Sequence, residues 1–117
     1  MKITTLSQHS TKFWNGQIVE GRPDLAEKFL LTDVSETIGN IGEFEIIKFQ
    51  KVLSSEQKEE LNKLLNDFDI VLAPAMFSSV DLAGVQKGKL YAFNATPETQ
   101  RSKPSEKIAS NKLSLIW

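Results

Sequence analysis

Residues 54 to 74 hold the pattern that most restricts the fold, because an amphipathic helix is followed at once by a short apolar run. Ser54 and Gln57 have the spacing of a capping box. Leucines and a phenylalanine then recur at helical spacing, which predicts a helix over Ser55–Asp67. The run at 69–74 (DIVLAP) is typical of a strand covered on both faces, as in a parallel sheet.

Further elements are predicted on both sides of this unit. The sequence predicts strands at 2–6, 43–51, 89–94 and 112–117, helices at 24–31 and 80–87, a turn at 15–16 and a loop at 32–40. Strand and helix alternate from 43 to 94 as two βαβ units. We therefore expect residues 1–117 to form a single α/β domain, with a small Rossmann-like, mainly parallel sheet flanked by helices.

Composition excludes several kinds of chemistry. The 117 residues include no Cys and one His, His9, which excludes disulfides, zinc fingers and cysteine nucleophiles. The Gly-rich phosphate loops and the Gly-x-Ser-x-Gly elbow are missing as well. We expect no metal and no cofactor. No apolar run has the roughly 18 residues of a membrane span and no signal-peptide core is evident, so we expect a cytoplasmic protein without a membrane partner.

Charge is distributed unevenly along the chain. Residues 20–69 carry twelve acids and six bases, whereas residues 86–117 carry six bases and two acids. The basic end is suited to an anion, and it is equally suited to a solvated surface of mixed charge.

Polar side chains follow three of the predicted strands, at the edge of the sheet where ligands of parallel α/β proteins bind. These candidate site residues are Ser7, Gln8, His9, Ser10 and Thr11 after the strand at 2–6, Ser78 and Ser79 after the strand at 69–74, and Asn94, Thr96, Gln100 and Arg101 at and after the end of the strand at 89–94. Each has a structural alternative: His9 would bond a backbone carbonyl, the serines would cap a helix, and Arg101 would be a solvated charge.

Two of these segments resemble a known family. Ser7-Gln8-His9 with Trp14 shortly after, and the stretch from Asp69 through Asn94 to Arg101, are similar to the small CARF-like CRISPR-associated accessory proteins, the ring nuclease group, of type III CRISPR systems. The resemblance implies a Rossmann-type fold. It also implies a metal-independent ring nuclease that binds cyclic tetra- or hexa-adenylate, and no long nucleic acid, in antiviral signalling.

The resemblance implies roles for the catalytic pair His9 and Arg101. A ribose 2′-hydroxyl attacks the adjacent phosphorus and leaves a 2′,3′-cyclic phosphate, so the protein acts as an RNA phosphodiesterase. His9 handles the proton, Arg101 neutralises the phosphate, and the N–H groups near Ser78 and Ser79 cradle it. The other polar residues of the three loops line the ligand.

Two further readings stay open beside this one. The chain is alternatively a non-catalytic interaction protein, such as an inhibitor, an immunity protein or a regulatory subunit, or it binds the messenger without cleaving it. We expect a homodimer, because a two-fold ring ligand implies one and because the apolar residues at 113–117 need cover from their own sheet or from a partner.

Overall fold

The structure, a computed structural model, describes residues 1–95 and 106–117. These residues contain eight strands, two α-helices and one 3-10 helix. In chain order they are β1 (Ile3–Thr5), β2 (Ser10–Phe13), β3 (Ile18–Val19), α1 (Pro23–Lys28), β4 (Thr32–Ile41), β5 (Phe44–Val52), α2 (Ser55–Asp67), β6 (Ile70–Leu72), the 3-10 helix (Ala75–Ser79), β7 (Leu90–Ala95) and β8 (Glu106–Leu115).

Six of the strands form a mixed sheet in the order β1-β6-β7-β8-β2-β3. The three neighbours β1, β6 and β7 are parallel, β7 and β8 are antiparallel, and β2 lies parallel to β8 and antiparallel to β3. The two end strands, β1 and β3, lie against each other, so the sheet curls into a nearly closed barrel.

The core has two parts, one on each side of this sheet. Between the sheet and the helices, Leu61, Leu65 and Leu90 are fully buried. Inside the curl, Phe13, Leu72 and Ala109 pack together. The C-terminal residue Trp117 packs against the first cluster, and its indole Nε1 donates a hydrogen bond to the Val85 carbonyl at 2.7 Å. The chain's own core therefore covers part of the apolar C-terminus.

The predicted fold class is wrong. The described residues form a mostly β structure with a curled mixed sheet, whereas we expected a parallel Rossmann-like sheet flanked by helices. Strand β5, which was to begin the first βαβ unit, is outside the six-stranded sheet altogether. The parallel pair β6 and β7 is present, but no α-helix connects its strands.

The helix predicted at 80–87 is wrong for a physical reason. The Asp81 carboxylate accepts a hydrogen bond from the Ala83 amide at 3.0 Å, a local turn that competes with a helix. Gly84 follows with a φ of 90°, outside the helical region. Helix α2 holds this loop, since Asn62 donates to the Gly84 carbonyl at 3.0 Å and accepts from the Gln86 amide at 2.7 Å.

The loop predicted at 32–40 is also wrong, because these residues form strand β4. It pairs with β5 along nine registered residue pairs, and Gly42, with a φ of 59°, makes the turn between them. Nearly every residue of the pair is exposed, so β4 lacks the inward apolar face by which a strand is recognised in a sequence. We call residues 32–52 the arm.

Several local predictions are confirmed. Helix α2 has the predicted bounds, and the Ser54–Gln57 capping box is formed in both directions. Pro23 opens α1, which ends at Lys28 and not at the predicted residue 31. Strands occupy the cores of the segments predicted at 2–6, 43–51, 69–74 and 89–94, whereas the strand predicted at 112–117 is the second half of β8, which begins at Glu106 and ends at Leu115. The turn at 15–16 is present, with Gly16 at a φ of 89°.

No helix in the described ranges is both long enough and apolar enough to cross a membrane.

Replacing Asn62 should loosen the loop that took the place of the predicted helix. We expect Asn62→Ala to lower the free energy of unfolding by about 1–2 kcal/mol, since two hydrogen bonds to that loop are lost. Asn66→Ala is the matched control, because Asn66 is exposed one turn further along α2. Urea unfolding of both variants measures the difference, and equal stabilities would contradict the prediction.

Candidate functional site

The arm projects from the body and exposes an unusual amount of apolar surface. Ten residues of β4 run against nine of β5, a length of about 30 Å. The molecule accordingly measures 57 × 33 × 23 Å, and its radius of gyration of 16.4 Å exceeds the roughly 13 Å typical of a compact chain of this size. The large apolar side chains of the arm that are more than 40% exposed are Val34, Ile38, Ile41, Phe44, Ile47 and Phe49.

Both faces of the arm carry apolar side chains. Residues opposite each other in an antiparallel pair share a face, and successive residues alternate between faces. From the register, Val34, Ile41 and Phe44 lie on one face, whereas Ile47 and Phe49 lie on the other. No third strand extends this two-stranded sheet within the described part of the chain.

Polar contacts tie the two strands together but add little stability. Lys51 donates to the Asp33 carboxylate at 2.8 Å, and the Thr37 hydroxyl donates to Glu45. These side chains are exposed, and exposed ion pairs contribute about 0–1 kcal/mol. An isolated hairpin is marginally stable in water, so the arm depends on its attachment to the body and on whatever covers it.

A groove of about 650 Å³ lies beside the root of the arm, between α1, the loop after β1 and the 3-10 helix. Most of its lining is apolar, including Phe29, Leu30 and Met76, and the last two are 65% and 55% exposed. Among the residues that line it, only His9, Glu27 and Lys51 are ionisable.

A cleft of about 490 Å³ separates the arm from the 3-10 helix and continues the groove. Its arm side is of mixed character, since Glu36, Lys48 and Gln50 line it beside Val34 and Phe49. Ser79 lines its body side, and Met76 and Lys51 belong to both cavities. Arm, groove and cleft therefore form one continuous surface, which we call the docking surface.

Gln57 holds both ends of the arm. Its Oε1 accepts from the Ser54 amide at 2.8 Å, just after β5, and its Nε2 donates to the carbonyls of Lys28 at 3.1 Å and Leu30 at 2.8 Å, just before β4. The side chain of Lys28 makes a separate contact, since its Nζ donates to the Glu60 carboxylate at 2.9 Å, and this hydrogen bond lowers the pKa of Glu60.

The predicted site residues are only partly brought together. Ser7, Gln8 and His9 line the groove, and the carboxyl ends of β1, β6 and β7 meet at one edge, as expected for parallel neighbours. The His9 amide donates to the Ser7 hydroxyl at 3.1 Å, and Gly21 lies so close to the Gln8 carbonyl that no Cβ would fit there. This loop is therefore packed tightly in place.

The remaining predicted residues serve other contacts or lie elsewhere. Ser10 and Thr11 belong to strand β2 and not to a loop; the Ser10 hydroxyl accepts from the Gly21 amide at 2.9 Å, and Thr11 is buried. Ser78 does not cap a helix at 80–87, since its hydroxyl donates to the Ala75 carbonyl at 2.8 Å; Ser79 lines the cleft.

Asn94 donates to the Ser110 hydroxyl at 3.2 Å. Thr96, Gln100 and Arg101 lie outside the described residues. The contact between the catalytic pair that the resemblance implies therefore stays a prediction. Within 1–95 and 106–117, no three His, Asp or Glu side chains are grouped as metal ligands.

Sequence reasoning missed the arm, the largest part of this surface. Phe44, Ile46, Ile47 and Phe49 predict a strand correctly, but a run of apolar residues does not say whether the strand is covered. The signal that points to the arm is Gly42-Glu43 just before the strand-like run that begins at Phe44, because Gly at the first central position is typical of a two-residue hairpin turn.

The role of Gln57 leads to a test of how the arm is held. Gln57→Glu keeps a capping-box acceptor at this position, but it removes both donated hydrogen bonds and sets a carboxylate against two carbonyl oxygens. We expect a loss of about 1–2 kcal/mol in unfolding free energy, with faster amide exchange at the arm's root. In Ser54→Ala, which removes only the cap, the arm's exchange should stay unchanged; a similar acceleration there would contradict this role.

No protein-family model, no curated protein and no solved structure matches this chain. No relative therefore indicates a function, and the docking surface is the feature of the chain that does.

Proposed function

We propose that this protein is a non-catalytic interaction protein that binds another protein chain through the docking surface. The observation that carries the proposal is the arm, a projecting two-stranded sheet with six large apolar side chains exposed on its two faces. Large apolar side chains exposed together in this way mark interaction sites in soluble proteins.

The exposed area of both faces together matches what a specific interface requires. The six side chains expose on the order of 700 Å² divided between the two faces of the arm, so a partner must cover both faces to approach the about 800 Å² that a stable interface of standard size buries on each partner. At roughly 1.5–3 kcal/mol for each fully buried side chain, burying the exposed part of these six is worth on the order of 5–10 kcal/mol before the entropy of association is subtracted.

The composition of the surface favours a protein over a small polar ligand. Phosphate binding needs converging positive groups or free N–H groups. In the groove, Lys51 forms an ion pair with Asp33, so this cation is already partnered. Apolar side chains make up most of the remaining lining, which suits the side chains of another protein.

The ring-nuclease hypothesis stays an untested prediction, as does messenger binding without cleavage. The Rossmann-like fold that the resemblance implied for it is wrong, and Arg101 lies outside the described residues. Neither point measures activity, so the hypothesis needs its own assay.

Site-specific photocrosslinking tests the proposed function. A photoreactive phenylalanine analogue replaces Phe44, which is 75% exposed at the tip of the arm, and the protein is irradiated in cells of its native source. We expect a covalent adduct with a defined protein, identified by mass spectrometry, because an apolar arm is buried against its partner. A second copy of this chain counts as such a partner.

Competition and a matched position make the crosslinking result specific. Excess unmodified protein should suppress the adduct, whereas the double variant Phe44→Asp with Phe49→Asp should compete at least about tenfold less well. The same analogue at Trp14, which is 58% exposed outside the arm, is the control. An adduct from Trp14 only, or none from either position, would refute the proposed function.

A nuclease assay separates the two classes of function. We expect radiolabelled cyclic tetra- and hexa-adenylate to be neither retained nor cleaved by the purified chain, with or without chelator, since the groove offers few free polar groups. Linear products that form with the unmodified chain and not with His9→Ala would show that the protein is a ring nuclease and would refute the non-catalytic function.

A further inference from the structure

We infer that the arm's partner is a second copy of this chain, with β5 of one copy paired antiparallel to β5 of the other about a two-fold axis at Ile47. This inference rests on the proposed function, because it names the partner and the edge of the arm, that of β5, to which the partner pairs. The result is a four-stranded antiparallel sheet with the two bodies at its opposite ends.

The free edges of the arm are the first observation. Each of β4 and β5 pairs only with the other among the described residues, so each leaves one edge open. An exposed edge is a template for another strand, and addition of a strand across it forms backbone hydrogen bonds. A sheet of three or more strands is also more stable than a lone hairpin.

Charge decides which edge is used. Strand β4 carries Asp33 and Glu36 and no base, so pairing β4 with its own copy would gather four acids at one edge with no opposite charge among them. Along β5 the sign changes: Glu43 in the turn and Glu45 lie near the tip, whereas Lys48 and Lys51 lie near the root. Antiparallel pairing of β5 with itself sets each acidic half against a basic half.

The size of the body excludes the other charge-compatible arrangement. Pairing β5 with β4 of the next copy would also bring Lys51 near Asp33, but it keeps all roots on the same side. Hairpins stacked in that way repeat every two strands, about 10 Å. Even the smallest dimension of the molecule is 23 Å, so neighbouring bodies would overlap. The two-fold arrangement places the bodies at opposite ends and closes after two copies.

The register follows from the pleat and the charges. Residues directly opposite each other must lie on the same face of the sheet, and along β5 the odd-numbered residues share one face and the even-numbered residues the other. Each pair therefore joins two odd-numbered or two even-numbered residues. Centring the axis on Lys48 would oppose two lysines. Among the residues of β5, Ile47 is the one centre that sets bases against acids with no pair of like charges. Ile47 then faces its counterpart, and Lys51, which also binds Asp33 in its own copy, faces Glu43 of the other copy, twice over.

A cysteine scan tests both the partner and the register, since the chain has no Cys of its own. In Ile47→Cys the two cysteines would be directly opposite, about 5.5 Å apart between Cα atoms, within disulfide reach. In Phe49→Cys they would be separated by about 14 Å, beyond reach. Phe49 is 69% exposed and Ile47 only 46%, so random collisions would favour the control.

The expected results are a light-scattering mass of about twice 13.1 kDa for the unmodified chain at roughly 100 µM, with disulfide dimers of Ile47→Cys at least about tenfold more abundant than those of Phe49→Cys. A monomer mass, or equal oxidation of the two variants, would overturn the inference. A dimer in which Ile47→Cys does not oxidise would overturn it too.

A charge exchange supplies a second, independent readout. Glu43→Lys alone opposes lysines, and Lys51→Glu alone opposes glutamates and also removes the ion pair with Asp33 in its own copy, so each should weaken dimerisation about tenfold. A mixture of the two variants restores both opposite-charge pairs and should form mixed dimers in preference to either homodimer. Absence of that preference would count against the register.

Failure of this inference is distinguishable from failure of the proposed function. If the chain is monomeric but the Phe44 crosslink captures a different protein, the second-copy inference falls and the interaction function stands. If the arm crosslinks to nothing, both fall.

Discussion

The placement of the arm depends on how the body holds its two ends, through Gln57 and through the flanking residues Leu31 and Leu53, which pack in the core. The arm buries almost none of its own residues, so nothing along its length fixes its direction. Gln57 bonds the backbone on both sides of it, at Leu30 before β4 and at Ser54 after β5. Since Leu61 and Leu65 anchor helix α2 in the core, this clamp transmits the rigidity of the core to an otherwise solvent-exposed element.

Sequence reasoning succeeded where local pattern and packing agree. Helix α2 and strand β6 were predicted because their apolar residues face a core, and the spacing of those residues records that fact. The order of the sheet is a different matter, since β8 lies between β7 and β2 and no local pattern encodes a partner about a hundred residues away. Because β5, α2 and β6 follow each other along the chain, they suggested a βαβ unit, yet β5 does not belong to the six-stranded sheet.

The candidate site shows the same division. The loop after β1 could be placed at the carboxyl edge because β1 and β6 are indeed parallel neighbours, and Ser7 to His9 reach the groove. Ser10 and Thr11 were misplaced because polar, hydroxyl-bearing residues suggest a loop, although Thr11 is buried in a strand. The arm could not be recognised as uncovered, because exposure is a property of what surrounds a strand and not of the strand's own residues.

An exposed apolar hairpin with two open edges is a liability unless its pairing is limited. Here the acidic edge of β4 disfavours pairing of like edges, and the bulk of the body blocks side-by-side stacking of hairpins in one direction. What remains is the β5 edge, whose change of sign near its middle favours one antiparallel partner. The charged side chains of β4 and β5 thus add little to the stability of the arm itself, but they limit the number of copies that can pair through it.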